Sequence, residues 1–226
     1  MSEVILLILT LLCVFTIYCL YKLFDKNGIY YSTIILNIIG LVLAFKITSV
    51  FKMNINIGII PFIISLTNLY IFILKYGKKE LKNIIKLTLY SNIMVAILLI
   101  ITNYFIPTIT ETVSINMKET VEYNYKILFS YPIIALLSQY TVIKLFNFVS
   151  KIQNNIIIDI ILTYIITSLL YTITFSLVSY IQVLSFRDSI FIGISTYIIG
   201  FIVTIINIIF IYFITGKKVI KWEIYY

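Results

Sequence analysis

Apolar residues in this chain fall into seven long runs separated by short polar breaks. The runs cover roughly 4–21, 30–50, 57–75, 84–106, 127–149, 156–182 and 189–215. Crossing a hydrocarbon core about 30 Å thick takes about 20 helical residues, and the runs are of that order. They are far too long for strands, and none alternates as a barrel strand does. The pattern predicts an all-α, polytopic helical membrane protein of about seven transmembrane helices. No Pro/Gly/Ser-rich linker and no repeat divides residues 1–226, so one transmembrane domain is expected. The first run reads as a retained helix, not a signal peptide. Ser2 and Glu3 stand where a basic region belongs, and TIYCLYKLF ends the run without an A-x-A-like cleavage site. Pro61, just past Gly58, is expected to break the start of the third helix. Pro132 is expected to be a tolerated first-turn residue of the fifth.

Composition agrees with the pattern. The chain is 62% hydrophobic and only 12% charged, where a soluble domain carries about 25% charged residues. Its wealth of Ile, Asn, Lys and Tyr has the residue bias of an AT-rich genome, which weakens any single Asn or Tyr as a signal. Charge adds an orientation. Residues 74–86, LKYGKKELKNIIK, gather five lysines and one glutamate, and basic loops stay cytoplasmic. With that loop inside, twelve basic residues fall on the cytoplasmic side and five on the other. The cytoplasmic set runs from Lys22 and Lys26 to Lys217, Lys218 and Lys221; Lys46, Lys52, Lys118, Lys126 and Arg187 are outside. This predicts the N-terminus out and the C-terminus in the cytoplasm of a cell-membrane protein. The net charge of +8 is then a topology signal plus attraction to the anionic lipid bilayer, with no nucleic-acid partner.

Several chemistries drop out. There is no histidine, so imidazole catalysis and His-ligated metal sites are excluded. Cys13 and Cys19 lie six residues apart on one helix and point to different faces, which suits neither a disulfide nor a metal pair. No G-x-S-x-G, H-E-x-x-H, C-x-x-C or P-loop pattern occurs, and Thr163 or Ser168 as a nucleophile would lack a base. The expectation is no enzyme, no metal and no cofactor.

The order within the lysine loop carries more. Aromatic–Gly–basic–basic–Glu at a helix end resembles the YGKKEA motif of the vitamin uptake transporter family, whose known members import queuosine precursors. Lys46, Phe51 and Gly58 fall at the family's upstream steps, and Tyr76-Gly77 follows without a gap. LYKLFDKNGIYYSTIIL (20–36) is similar to the family's aromatic–Gly–x–x–Gly-Leu-Tyr entry into a helix. In SYPIIALLSQYTVIKLFNFVSK (130–151), Ser138, Gln139 and Phe146 match the family's S-x-x-A-Y-x-x-S-Q-x-x-D-V-x-x-F-x-x-x-K segment in register. SLLYTITF (168–175) resembles its S-Q-L-I-D-T stretch. The likeness covers residues 20 to 175.

The departures all remove acids. Against the family pattern, Leu69-Tyr70 replaces Thr-Asp, Leu74 a Glu, Val142 an Asp, Tyr171 the Asp before a retained Thr172, and Ile59 an Asn. Intramembrane carboxylates default to substrate or proton handling. The nine acids left all sit at or near span ends.

The resemblance implies a transporter that moves a small-molecule substrate, a deazaguanine base, by alternating access around a cavity lined by spans two, three, five and six. A planar polar base needs amides or hydroxyls at its edge and rings at its faces. The substrate-binding candidates are Lys46, Asn68, Tyr70, Gln139, Ser168 and Tyr171, with Tyr70, Gln139 and Tyr171 expected to converge. The competing readings for Gln139 and Lys46 are a helix–helix hydrogen bond and a snorkelling cation. Without an ATP-binding element, energy would come from an ion gradient, the substrate gradient or an ATPase partner. Two other functions compete. One is a membrane sensor or interaction subunit that transports nothing. The other is a substrate-capture subunit of a multi-component importer, disfavoured because no small-xxx-small docking ladder is evident. Whether the chain forms a homo-oligomer or has an energising partner stays open.

Overall fold

A backbone in hydrocarbon must satisfy its own hydrogen bonds, and a helix does so within one segment. The computed structural model describes residues 2–102, 104, 125–152, 155–181 and 183–215. Seven helices among them are long and apolar enough to cross a membrane. They are α1 (Ser2–Phe24), α2 (Lys26–Leu43), α3 (Ile59–Tyr76), α4 (Leu81–Thr102), α5 (Tyr125–Val149), α6 (Ile156–Tyr180) and α7 (Phe186–Thr215). The chain is an all-α, multi-pass membrane protein. The acidic loop between α4 and α5 and the lysines of the C-terminal tail lie outside the described residues.

Burial sorts the helices. Every residue of α3 from Ile59 to Ile73 is buried, so α3 is the central post. The outer helices keep apolar side chains exposed, such as Val4, Ile8, Leu11 and Phe15 on α1 and Tyr90, Leu98 and Ile101 on α4. That much exposed aliphatic surface suits lipid and would be a liability in water. α2 and α3 touch backbone to backbone at two glycines. A Cβ on Gly58 would lie 2.7 Å from the Ala44 nitrogen and run into the Gly40 carbonyl.

The second span is shorter than its apolar run. Helix α2 ends at Leu43, and Ile47–Val50 is a strand (β1) paired antiparallel with Met53–Asn56 (β2). The β-branched ITSV and the alternating MNIN are strand-like, which overrides the run's hydropathy. Phe51 and Lys52 form the two-residue turn with φ of 49° and 63°, the primed geometry that hairpins favour. The Phe51 N–H donates to Glu3 Oε1 at 3.2 Å. Asn56 fastens the hairpin's base. Its Nδ2 donates to the Ala44 carbonyl at 2.7 Å and to the Tyr180 hydroxyl, and its Oδ1 accepts from Gly58 N–H at 2.8 Å.

Two local expectations change. Pro61 does not break α3; it sits in the first turn, where its missing N–H costs nothing. Pro132 lies well inside α5 and withholds a donor from the preceding turn. Small polar residues of α6 are buried on two sides of the helix, Thr163 and Thr167 on one and Thr172, Ser176 and Ser179 on the other. Gly193 of α7 packs so closely on this helix that a Cβ would lie 3.2 Å from the Thr172 carbonyl oxygen and from Ile173 Cα. Cys13 and Cys19 are both free thiols.

Candidate functional site

The amides meet in the middle of the bundle. Asn37 of α2 is fully buried, and its Nδ2 donates to Ser65 Oγ of α3 at 2.8 Å and to the Thr33 carbonyl at 3.0 Å. Gln139 of α5, 1% exposed, donates from Nε2 to Asn37 Oδ1 at 3.4 Å. Tyr131, two turns along α5, donates its hydroxyl to the Asn37 carbonyl at 3.1 Å. One turn toward the lysine loop, Asn68 Nδ2 donates to Ser32 Oγ at 2.9 Å. Three helices thus contribute amides and hydroxyls to one polar layer made of two hydrogen-bonded groups a turn apart.

The layer is not saturated. Gln139 Oε1 and Asn68 Oδ1 are buried and have no hydrogen-bond partner among the described residues. A buried acceptor without a donor costs about 1–3 kcal/mol, and a bilayer offers no water to relieve it. Chemically, the layer is an uncharged surface with two free acceptors, suited to a solute that carries N–H donors.

Aromatic rings close the layer on both sides. Toward the hairpin, Tyr171 stacks on Phe62 with ring centroids 4.0 Å apart at 16°. Phe62 meets Tyr131 edge-on at 6.0 Å, and Phe175 meets Tyr131 edge-on at 5.9 Å. Toward the lysine loop, Tyr70 tilts against Phe146 at 5.2 Å. Phe146 lies two turns beyond Gln139 on the same buried face of α5, about 10 Å along the axis.

The sequence-predicted residues therefore separate. Gln139 and Asn68 are in the layer. Tyr171 and Tyr70 bound it from opposite sides, so the three expected to converge form a column with Gln139 in the middle. Ser168 is buried, but its hydroxyl donates to the Tyr164 carbonyl at 2.6 Å, an interaction within the helix. Lys46 is exposed at the hairpin's base, nine residues past Asn37. Asn37, Ser65, Ser32, Phe62 and Tyr131 belong to the site and were not singled out from sequence. The signal for Asn37 was its depth, more than a turn from either end of α2. Among the acids, Asp159 is near a helix end as expected, yet it is fully buried, in the first turn of α6, where the helix dipole favours a negative charge.

The lysine loop has a structural task. Gly77, at φ 78°, ends α3 in a conformation that glycine alone adopts without strain. Lys26 Nζ meets Glu80 Oε1 at 2.6 Å, and the Tyr30 hydroxyl donates to Glu80 Oε2 at 3.0 Å. The Tyr76 hydroxyl donates to Asp25 and Lys75 donates to the Tyr21 hydroxyl. The Tyr76 hydroxyl holds the Asp25 carboxyl below the usual range, and Lys26 does the same for Glu80. The motif ties the α1–α2 corner to the α3–α4 turn. No protein-family model, no curated protein and no solved structure matches this chain.

Proposed function

We propose that this protein is a transporter for a small, planar, uncharged solute, of the deazaguanine-base class, with its N-terminus outside and its C-terminus in the cytoplasm. The observation that carries the reading is the pair of buried amide oxygens, Gln139 Oε1 and Asn68 Oδ1, with no donor among the described residues. A lactam or amino N–H of a base would supply those donors, and the rings of Tyr131 and Phe62 offer it apolar faces. With no carboxylate in the layer, a protonated amine on the solute would enter uncompensated, which is strongly unfavourable. Aromatic closure on both sides is what an occluded step of alternating access requires. The ties of Lys26 to Glu80 and of Asp25 to Tyr76 would have to part for the loop end to open.

The test is complementation. In a cell lacking precursor synthesis and uptake, this chain should restore queuosine in tRNA when a neutral deazaguanine base is supplied. The same base bearing an alkylammonium arm should be taken up far less. Failure with both bases would overturn the reading and move a membrane sensor ahead of it. For orientation, a reporter active only in the cytoplasm should work after Lys221 and stay silent near Thr120. The opposite result would reverse the topology.

A further inference from the structure

A fourth amide stands at the same depth. Asn92 of α4 is 1% exposed, and neither its Nδ2 nor its Oδ1 has a hydrogen-bond partner among the described residues. Its depth follows from the helices' own geometry. α2 and α4 run in the same direction, and the Lys26–Glu80 pair holds their first turns together at 2.6 Å. Asn37 is the twelfth residue of α2 and Asn92 the twelfth of α4. At a rise of about 1.5 Å per residue, both stand about 16 Å above that pair. Gln139 is at this level too, because it donates to Asn37.

Its direction follows from burial. The buried residues of α4 are Leu81, Ile84, Ile85, Thr88, Asn92 and Ala96, one stripe at helical spacing. That stripe packs against α2 and α5, the helices that carry Asn37 and Gln139. Thr88, the other polar residue of the stripe, already donates to the Ile84 carbonyl at 2.8 Å. Asn92 alone brings unused polar atoms, one donor group and one acceptor.

We infer that Asn92 is a specificity-determining residue of the transport site, reading a solute edge that presents an acceptor beside a donor, as the lactam of a guanine-type base does. This rests on the transport reading above and sharpens it. Gln139 Nε2 and Asn68 Nδ2 each already donate to a neighbour, whereas the Asn92 amide has neither atom engaged among the described residues and can give an N–H to a solute carbonyl while accepting beside it. A purely structural amide would have its hydrogen bonds within the protein. Asn92 has none among the described residues, so its removal should not weaken the fold.

The two roles give opposite signs in one experiment. The purified full-length protein is assayed for equilibrium binding of 7-deazaguanine and of 7-deazaadenine, which lacks the lactam carbonyl, alongside thermal unfolding. Asn92→Leu should weaken 7-deazaguanine binding about ten- to hundredfold, erase most of the preference over 7-deazaadenine, and leave the unfolding midpoint unchanged or raised. Asn92→Ala, which cannot clash, should lose the same preference if the leucine is too large to fold. Unchanged affinity and preference in both variants, with Gln139→Leu still weakening binding, would overturn the role of Asn92 and leave the transport reading standing. A lowered midpoint in both variants with preference retained would make Asn92 a structural residue. Wild-type protein that binds neither base would sink the inference together with the reading beneath it.

Discussion

Around the α3–α4 turn, Glu80 takes a lysine ammonium and a tyrosine hydroxyl, and Tyr76 donates to Asp25. Deeper in the bundle, Asn68 at about 12 Å and Gln139 at about 16 Å each leave an oxygen without a partner among the described residues. Polar groups at the loop end include charges, are partly exposed and are paired with one another; those at mid-depth are neutral, buried and partly unpaired among the described residues. Water could have satisfied the first set at little cost, whereas nothing in a bilayer satisfies the second. The unpaired atoms sit where leaving them unpaired is most expensive. That contrast distinguishes a tie from a binding layer, and the substitutions below probe it.

The largest effect should come from removing what separates the two regions. Tyr70, packed against Phe146, is a shelf between the amide layer and the loop end. Tyr70→Ala deletes a buried ring from a close-packed position, and such truncations cost about 3–5 kcal/mol. Tyr70→Phe keeps the ring and should cost far less. Thermal unfolding of the two variants checks this. Equal losses would assign the stabilisation to the hydroxyl.

Next is the pairing inside the layer. Asn37 donates to Ser65 and accepts from Gln139, so Asn37→Leu strands polar groups on two other helices. The fold should lose about 1–3 kcal/mol, and base binding should fall with it. Gln139→Leu should differ in kind. It removes an atom without a partner and one long hydrogen bond of 3.4 Å. Stability should barely move, while affinity for a neutral deazaguanine base drops about five- to two-hundredfold, the equivalent of about 1–3 kcal/mol. If Gln139→Leu destabilises as much as Asn37→Leu, the two amides share a packing role and the layer is not a site.

The sequence showed the helices plainly and the layer only in part. Seven apolar runs need helices to hide their backbone, and among the described residues seven helices are long and apolar enough to span a membrane. The second run misled because hydropathy does not distinguish a helix end from a strand: ITSV is as apolar as the turn before it, but its β-branched residues pair with MNIN. Gln139 and Asn68 were legible as amides deep in apolar spans. Asn37 and Asn92 do not stand out, since in an Asn-rich chain composition hides position, and Ser65 carries no signal of its own. Tyr70 and Tyr171 were placed in one cavity because both replace acids in a resembling pattern. The pattern carries no information on which neighbour each ring rests against, and they ended on opposite sides of Gln139.

The smallest effect belongs to the loop end. Lys26 and Glu80 keep 37% and 43% of their side chains exposed, and solvent and salt screen such pairs heavily. Glu80→Gln leaves an oxygen for Lys26 and Tyr30 and removes only the charge, so the unfolding midpoint at pH 7 should fall slightly. The pH dependence gives a clearer signature. Lys26 holds the folded-state Glu80 carboxyl below the 4.5 of an unperturbed glutamate. The stabilisation is therefore complete above about pH 4.5, declines below it, and is gone once the pH has fallen through the lower folded-state value. The wild type should lose stability across that acidic window. Glu80→Gln should lose less, the remainder coming from Asp25, whose carboxyl Tyr76 also holds below its ordinary value. Raising the salt concentration should bring the two proteins together. Identical pH profiles for wild type and Glu80→Gln would show that the Lys26–Glu80 contact contributes nothing, and the α1–α2 corner would then be held by the Tyr76–Asp25 and Lys75–Tyr21 contacts.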